Sequence, residues 1–393
     1  MSVNYQQVYS KIREIRSQAQ AHQETLRQRR EEARRLLETF DQETDWLRER
    51  LEETLKVYPD LRCAIPLEHS LTARHPLPQT PPPEHTLLAA DGSQIAPDRH
   101  AAVLFALINI GLIRLQPGSG QAPFIFTESQ LLFDEELYED GDLLSDGMLA
   151  MRRDLRERAL LVEHAQKSPR PAIALTDGPL ELWGLTEAES TDSYRRALEE
   201  YLRLLRSLRG ENVIPAGYVD KPMANLVVRL LEIATLPTEK LKDAKSSYPL
   251  RGVTDRWLFG ERGRPLLRAG ERSAVFGLQS QSRQFYREEI ALHFFYLNVG
   301  DDEHPWPVRV EIPAWVAEDP TLLNLLHAAL VDQCRQMGTR PFPYLLHRAH
   351  EIALVSYEDK RQIENWLAIE QRSMGWETDE DSAKRISKEG SYR

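Results

Sequence analysis

PAIALTDGPL (171–180) decides how this chain is read. Ala172, Ile173, Ala174 and Leu175 form an unbroken apolar run. A strand that is apolar on both faces belongs in the covered middle of an α/β sheet. The run ends in Asp177-Gly178, and the same ending occurs in HTLLAADGSQ (85–94), where Asp91-Gly92 closes a short buried strand. A carboxylate at the end of a buried strand, followed by a glycine that lets the backbone turn away, can hold a metal ligand at the edge of a sheet. Asp-Gly is also an ordinary turn dipeptide, so each motif alone reads as a turn. Two at matching positions make a shared site as good a reading as two turns.

Outward from these motifs the remaining elements follow. AAVLFALINIGLIRL (101–115) and APFIFTESQ (122–130) read as strands separated by the turn PGSG (117–120). Three consecutive strands with short connections form an antiparallel meander. An amphipathic helix over about 148–166 carries Met148, Met151, Leu155, Ala159 and Val162 on one stripe. The strand 171–180, a helix over about 193–209, the strand NVIPAGYVDKP (212–222) and a helix over about 224–234 come next. Residues 237–284 are less regular. HFFYLNVG (293–300) and PVRVEIPAWV (307–316) alternate as a hairpin around a loop with Asp301, Asp302 and Glu303. Helices are expected at about 320–337 and 346–371. The order β, β, β, α, β, α, β is that of a ribonuclease H-like core, a mixed α/β sheet flanked by helices. In such a core, acids on the first strand, the first helix and the fourth strand serve phosphodiester cleavage with hard divalent ions.

The N-terminal 1–75 read as a helical arm. Tyr5 to Val57 is charged and carries Leu36, Leu37, Phe40, Trp46, Leu47, Leu51 and Leu55 at helical spacing, as one long helix or a hairpin. Its run QRREEARR (28–35) reads first as a solvated face of ion pairs, with a dimer seam or a phosphate contact as alternatives. A proline-rich linker, 76–84, precedes a globular domain over 85–372, and the polar residues 373–393 are expected to be disordered.

The chain has 393 residues, with 50 Lys and Arg against 61 Asp and Glu and a formal charge of −11. That excludes a histone-like bulk attraction to phosphate, but not a local basic groove. An apolar share of 41% and a charged share of 28% stand in this composition. Those shares describe a globular protein with extra charged helix. Cys63 and Cys334 lack the spacing of a zinc site or a disulfide framework. A reducing compartment, an N-terminus without a secretory pattern and the absence of a stretch long enough to span a bilayer together point to the cytoplasm.

LLAADGSQ, IALTDGPL, VIPAGYVDKP, RAGERSAVF (268–276), RVEIPAWV (309–316) and PFPYLLHRAHEIAL (341–354) resemble, in order, the successive blocks of the NurA nuclease family over about 85–360. The resemblance implies a Mn²⁺-dependent nuclease, with Mg²⁺ the other hard ion to consider, having 5′ to 3′ exonuclease and single-strand endonuclease action. It implies DNA as substrate (single strands and duplex ends), a homodimer, and a hexameric ATPase of the HerA type as partner in end resection at double-strand breaks. Carried over by position, Asp91, Glu157, Asp177 and His350 would be the catalytic and metal-binding residues, with Glu163 the competitor for the helix position. Lys221, Arg272 and Tyr344 would touch substrate. The chain departs from the family pattern at Phe342, where a tyrosine is usual, and at Asp220. The missing hydroxyl supports an alternative, a catalytically weak DNA-end-binding scaffold for the ATPase. His347, one turn before His350, reads as structural.

Overall fold

The computed structural model describes residues 3–78, 84–139, 141–182 and 191–375. Residues 79–83 of the proline-rich linker and the tail 376–393 lie outside the described residues. The chain divides into two compact units, one of 1–81 with 219–331 and one of 82–218 with 332–393.

The second unit carries both Asp-Gly motifs. Its strands are β1 (Thr86–Ile95), β2 (Phe105–Leu115), β3 (Phe124–Phe133), β4 (Ala172–Asp177) and β5 (Val213–Val219), and its helices are α1 (Asp146–Gln166), α2 (Thr191–Ser207), α3 (Tyr344–Ala353) and α4 (Tyr357–Ser373). The sheet order is β3-β2-β1-β4-β5. β2 runs antiparallel to both β1 and β3, whereas β1, β4 and β5 run parallel. The two-sided apolar reading of 171–175 holds, since Ala172, Ile173, Ala174 and Leu175 are all buried. Helices α1 and α3 cover the sheet over β1 and β2.

Two boundaries differ from the sequence reading. β1 does not stop at Asp91: its ladder with β2 continues to the pair Ile95–Leu107. What does stop is the parallel pairing with β4, whose last register pair is Ala90–Thr176. The expected helix over 346–371 is two helices. Leu354 leaves the helical conformation (φ −58°, ψ 126°), and Ser356 caps α4 with a capping box in which Asp359 closes back on the Ser356 N–H. Local hydrogen bonds there outcompete helix continuation.

In the first unit the N-terminal arm is two helices, Tyr5–Thr39 and Thr44–Val57. Leu51 joins Leu61, Cys63 and Ile233 in a buried cluster. The arginine-rich run is not simply a solvated face. Arg29 donates to the Arg251 carbonyl at 2.8 Å, Arg30 lies over the Trp257 ring at 5.0 Å, and Arg34 pairs with Glu261, so one side of this helix docks on its own unit. Strands Cys63–Pro66, Phe276–Gln279, Leu292–Asn298 and Pro307–Pro313 form an antiparallel sheet that contains the expected hairpin. Among the described residues no helix is long and apolar enough to cross a membrane.

Candidate active site

β1 is the strand that organises the site, and alternation along it assigns each residue a face. Asp91, opposite Gly111 on β2, faces α3, while Gly92 faces α1. Two glycines set how near the helices come. A Cβ on Gly111 would lie 2.7 Å from the Ala353 nitrogen and 2.7 Å from Ile352 Cγ2, so only glycine lets the end of α3 rest on the sheet. A Cβ on Gly92 would lie 2.5 Å from Glu157 Oε1 and 2.7 Å from Arg153 Cγ, so a side chain there would occupy the place these groups take.

The C-terminal end of α3 is pinned by hydrogen bonds. The Ala353 carbonyl accepts from Ser93 Oγ at 2.5 Å and from Asn109 Nδ2 at 2.8 Å, and Ser129 Oγ donates to Asn109 Oδ1 at 2.6 Å. Polar groups of three adjacent strands thereby fix the helix that carries His350. The outcome is a 2.7 Å hydrogen bond between His350 Nδ1 and Asp91 Oδ2. An ionised carboxylate only accepts, so in that state the imidazole donates through Nδ1 and Nε2 is left for a ligand or a proton. His350 is exposed and Asp91 is mostly buried, so the pair reaches solvent through the imidazole.

Asp177 is the last residue of β4 and is exposed. Because Ala90 pairs with Thr176, the next residues along the two strands are Asp91 and Asp177. Paired parallel strands lie about 4.8 Å apart, so the two acids leave the last register pair on neighbouring strands. The turn after Asp177 is held from two sides: the Gly178 N–H donates to the Tyr218 carbonyl at 2.8 Å, and Arg158 Nη2 donates to the Pro179 carbonyl at 2.8 Å.

Glu157 is 7% exposed and approaches the same stretch of β1 from the opposite face, across Gly92. Burial, reinforced by the nearby Asp154 and Asp91 carboxylates, pushes its pKa up to about 8. Arg153 pulls the other way, with Nε donating to Oε1 at 3.1 Å. Glu163 is placed differently. It is half-exposed and pairs with Arg156 at 2.8 Å, and Arg156 also binds both oxygens of Glu128 on β3. The helix glutamate beside β1 is therefore Glu157.

The expected substrate residues divide between the units. Tyr344 begins α3 and is partly buried. Lys221 and Arg272 belong to the first unit. Lys221 takes a left-handed backbone conformation (φ 45°) with its ammonium 4.8 Å from the Trp306 ring, while the Trp306 indole N–H donates to Asp220 at 2.8 Å. Asp220 thus anchors an indole. Arg272 is buried, with Nη1 donating to the Ser273 carbonyl at 3.0 Å and Glu68 4.0 Å away. Phe342 meets Tyr218 edge-on at 5.5 Å. His347 lies 3.5 Å from Glu351.

The donor set of carboxylate oxygens and one imidazole suits Mn²⁺ or Mg²⁺ in kind. Among the described residues no three His, Cys, Asp or Glu side chains converge as a ready-made cage. Asp91 is engaged by His350, and Glu157 by Arg153. Sequence reading missed Arg153 altogether, although its place four residues before Glu157 on α1 is the spacing of a helical ion pair.

A β3-β2-β1-β4-β5 sheet with its first three strands antiparallel, an acid on the central strand and a second on its parallel neighbour is a ribonuclease H-like fold. The NurA domain model matches residues 85–355, most of the chain, and the protein belongs to the NurA family of nucleases. It is similar in fold to the NurA nuclease of Sulfolobus solfataricus, with 13% identity, a TM-score of 0.50, and 93% of this chain and 97% of that one covered. Weaker likenesses are to the catalytic domain of human endonuclease V (14% identity, TM-score 0.31, 82% and 98% covered) and to Drosophila Piwi (12% identity, TM-score 0.29, 68% and 29% covered). No curated protein sequence matches the chain.

Proposed function

We propose that the protein is a divalent-metal-dependent DNA nuclease. One observation carries this reading: Asp91 and Asp177 each follow the last register pair of two neighbouring parallel strands, with His350 bonded to Asp91 and Glu157 approaching the same stretch of β1 across Gly92. Asp91, Asp177, Glu157 and His350 would hold Mn²⁺, or Mg²⁺. A bound hard cation would supply Lewis-acid polarisation of the phosphoryl oxygen and of water. The chain's own part is to gather the acids on a rigid sheet, to keep Asp177 in place through the turn held by Arg158, and to present His350. With Nδ1 bonded to Asp91, Nε2 of His350 can hold a proton for the leaving oxygen.

The family resemblance supports the finer reading: 5′ to 3′ exonuclease and single-strand endonuclease action in end resection, in the cytoplasm, as a homodimer working with a HerA-type hexameric ATPase. Mn²⁺-dependent degradation of 5′-labelled single-stranded DNA by wild type, Asp91→Asn and His350→Gln tests the central claim. Loss in Asp91→Asn and a large loss in His350→Gln are expected. Undiminished cleavage by Asp91→Asn overturns it, and absence of cleavage by wild type favours the scaffold reading, for which Phe342 in the tyrosine position is the supporting feature.

A further inference from the structure

Arg153 sits where the proposed site most needs a cation. Its stem crosses the strand beside Gly92, and its guanidinium makes three bonds to acceptors: Nε to Glu157 Oε1 at 3.1 Å, Nη1 to Gln94 Oε1 at 3.3 Å and Nη2 to Asp154 Oδ1 at 2.8 Å. The field of Asp91 also acts on it. About a quarter of the side chain is exposed, and its Cγ and Cδ are packed beside Gly92. A guanidinium is a planar fork that fits phosphate as well as carboxylate, and Lys in its place would be a point charge without the fork.

We infer that Arg153 is a phosphate-positioning residue that a divalent ion releases from Glu157, so that ion binding and strand binding reinforce each other through one side chain. This rests on the reading of Asp91, Glu157 and Asp177 as ion ligands. A cation and a guanidinium compete for the same Glu157 oxygen and repel each other, so occupancy by the ion leaves the guanidinium short of one acceptor. The backbone phosphate of a nucleic-acid strand supplies an acceptor of the right shape and charge. Linkage makes the effect reciprocal: whatever factor the ion adds to strand affinity, the strand adds to ion affinity.

The test uses the full-length protein and no turnover. Mn²⁺ affinity is measured by calorimetry without DNA, and strand affinity by fluorescence anisotropy with a single-stranded phosphorothioate oligonucleotide, in chelator and in Mn²⁺. Wild type, Arg153→Met, Arg153→Lys and Asp91→Asn are compared. Arg153→Met should bind Mn²⁺ roughly tenfold more tightly without DNA, about 1.4 kcal/mol. The Mn²⁺-linked gain in strand affinity seen in wild type should vanish in Arg153→Met and survive in part in Arg153→Lys. Mn²⁺ affinity unchanged or weakened in Arg153→Met, or a full Mn²⁺-linked gain in that variant, overturns the inference. If Asp91→Asn abolishes Mn²⁺ binding while Arg153→Met behaves as wild type, the Arg153 role alone is overturned. If wild type itself binds no Mn²⁺, the reading of the site falls and the inference falls with it.

Discussion

Replacing Glu157 by glutamine should change how stability depends on pH. Glu157 is 7% exposed, and burial together with the nearby Asp154 and Asp91 carboxylates raises its folded pKa from an ordinary 4.5 to about 8. A carboxyl whose folded pKa is raised is favoured in its protonated form by the native state. The native chain therefore binds more protons at this position than the unfolded chain between about pH 4.5 and about pH 8, and stability falls as pH rises through that window. Each pH unit fully inside the window is worth about 1.4 kcal/mol, so a span of roughly 3.5 units sets a ceiling of about 5 kcal/mol. The glutamine variant keeps the shape and cannot ionise. Urea unfolding at pH 5, 6, 7, 8 and 9, followed by circular dichroism, isolates the effect as the difference between variant and wild type. The variant should gain on wild type steadily from pH 5 to pH 8 and hold constant above. A difference that is flat with pH, or that runs the other way, refutes the claim that burial and like charge dominate over the Arg153 ion pair.

Three further outcomes are expected. Gly111→Ala puts a Cβ 2.7 Å from the Ala353 backbone nitrogen. It should cost about 1–3 kcal/mol and disturb the His350–Asp91 bond, seen as a shift of the His350 imidazole resonances, and a wild-type melting temperature counts against it. Glu163→Gln should leave any Mn²⁺ response intact and lose about 1 kcal/mol or less of stability through its half-exposed Arg156 pair. Glu157→Gln should instead remove most of the Mn²⁺ response, and the reverse pattern in calorimetric titration would exchange the two roles. Mn²⁺ at roughly one hundred times its dissociation constant should stabilise the native state by about 2.7 kcal/mol by mass action, and melting curves that coincide in Mn²⁺ and in chelator would remove the site from consideration.

Much of the second unit was legible in the sequence because its signals are local and strong. The two-sided apolar run before Asp177, the turn PGSG between β2 and β3 and the amphipathic stripe of α1 each specify an element without reference to the rest of the chain. Boundaries were less legible. Asp-Gly at 91–92 reads as a strand end, but the residues that keep β1 going are its partners on β2, which no local pattern reveals. The break at Leu354–Ser356 was written in the Ser356 and Asp359 capping box, yet the helical periodicity on either side hid it. At the site, Asp91, Asp177 and His350 stand out through motifs, whereas Arg153 does not. Its significance comes from Gly92, a residue of another element whose missing side chain lets Arg153 and Glu157 lie against the strand.

Like charges collected at one end of a sheet must be compensated if the chain is to fold, since a buried carboxylate without a partner is costly. Here the chain supplies partners of its own: His350 is hydrogen-bonded to Asp91 and Arg153 to Glu157, whose raised pKa already lessens the charge to be met. What a bound ion would contribute to stability is net of the pairings it displaces. The formal charge of −11 takes on a different meaning for a nucleic-acid substrate. On the proposed reading the ion-binding acids lie near one another, two of them hydrogen-bonded to a partner from the chain, and an ion that took their charge would leave those partners for an incoming strand. Affinity for a polyanion would then depend on the occupancy of one site more than on the sum over the surface, so an acidic net charge does not by itself argue against a nucleic-acid substrate.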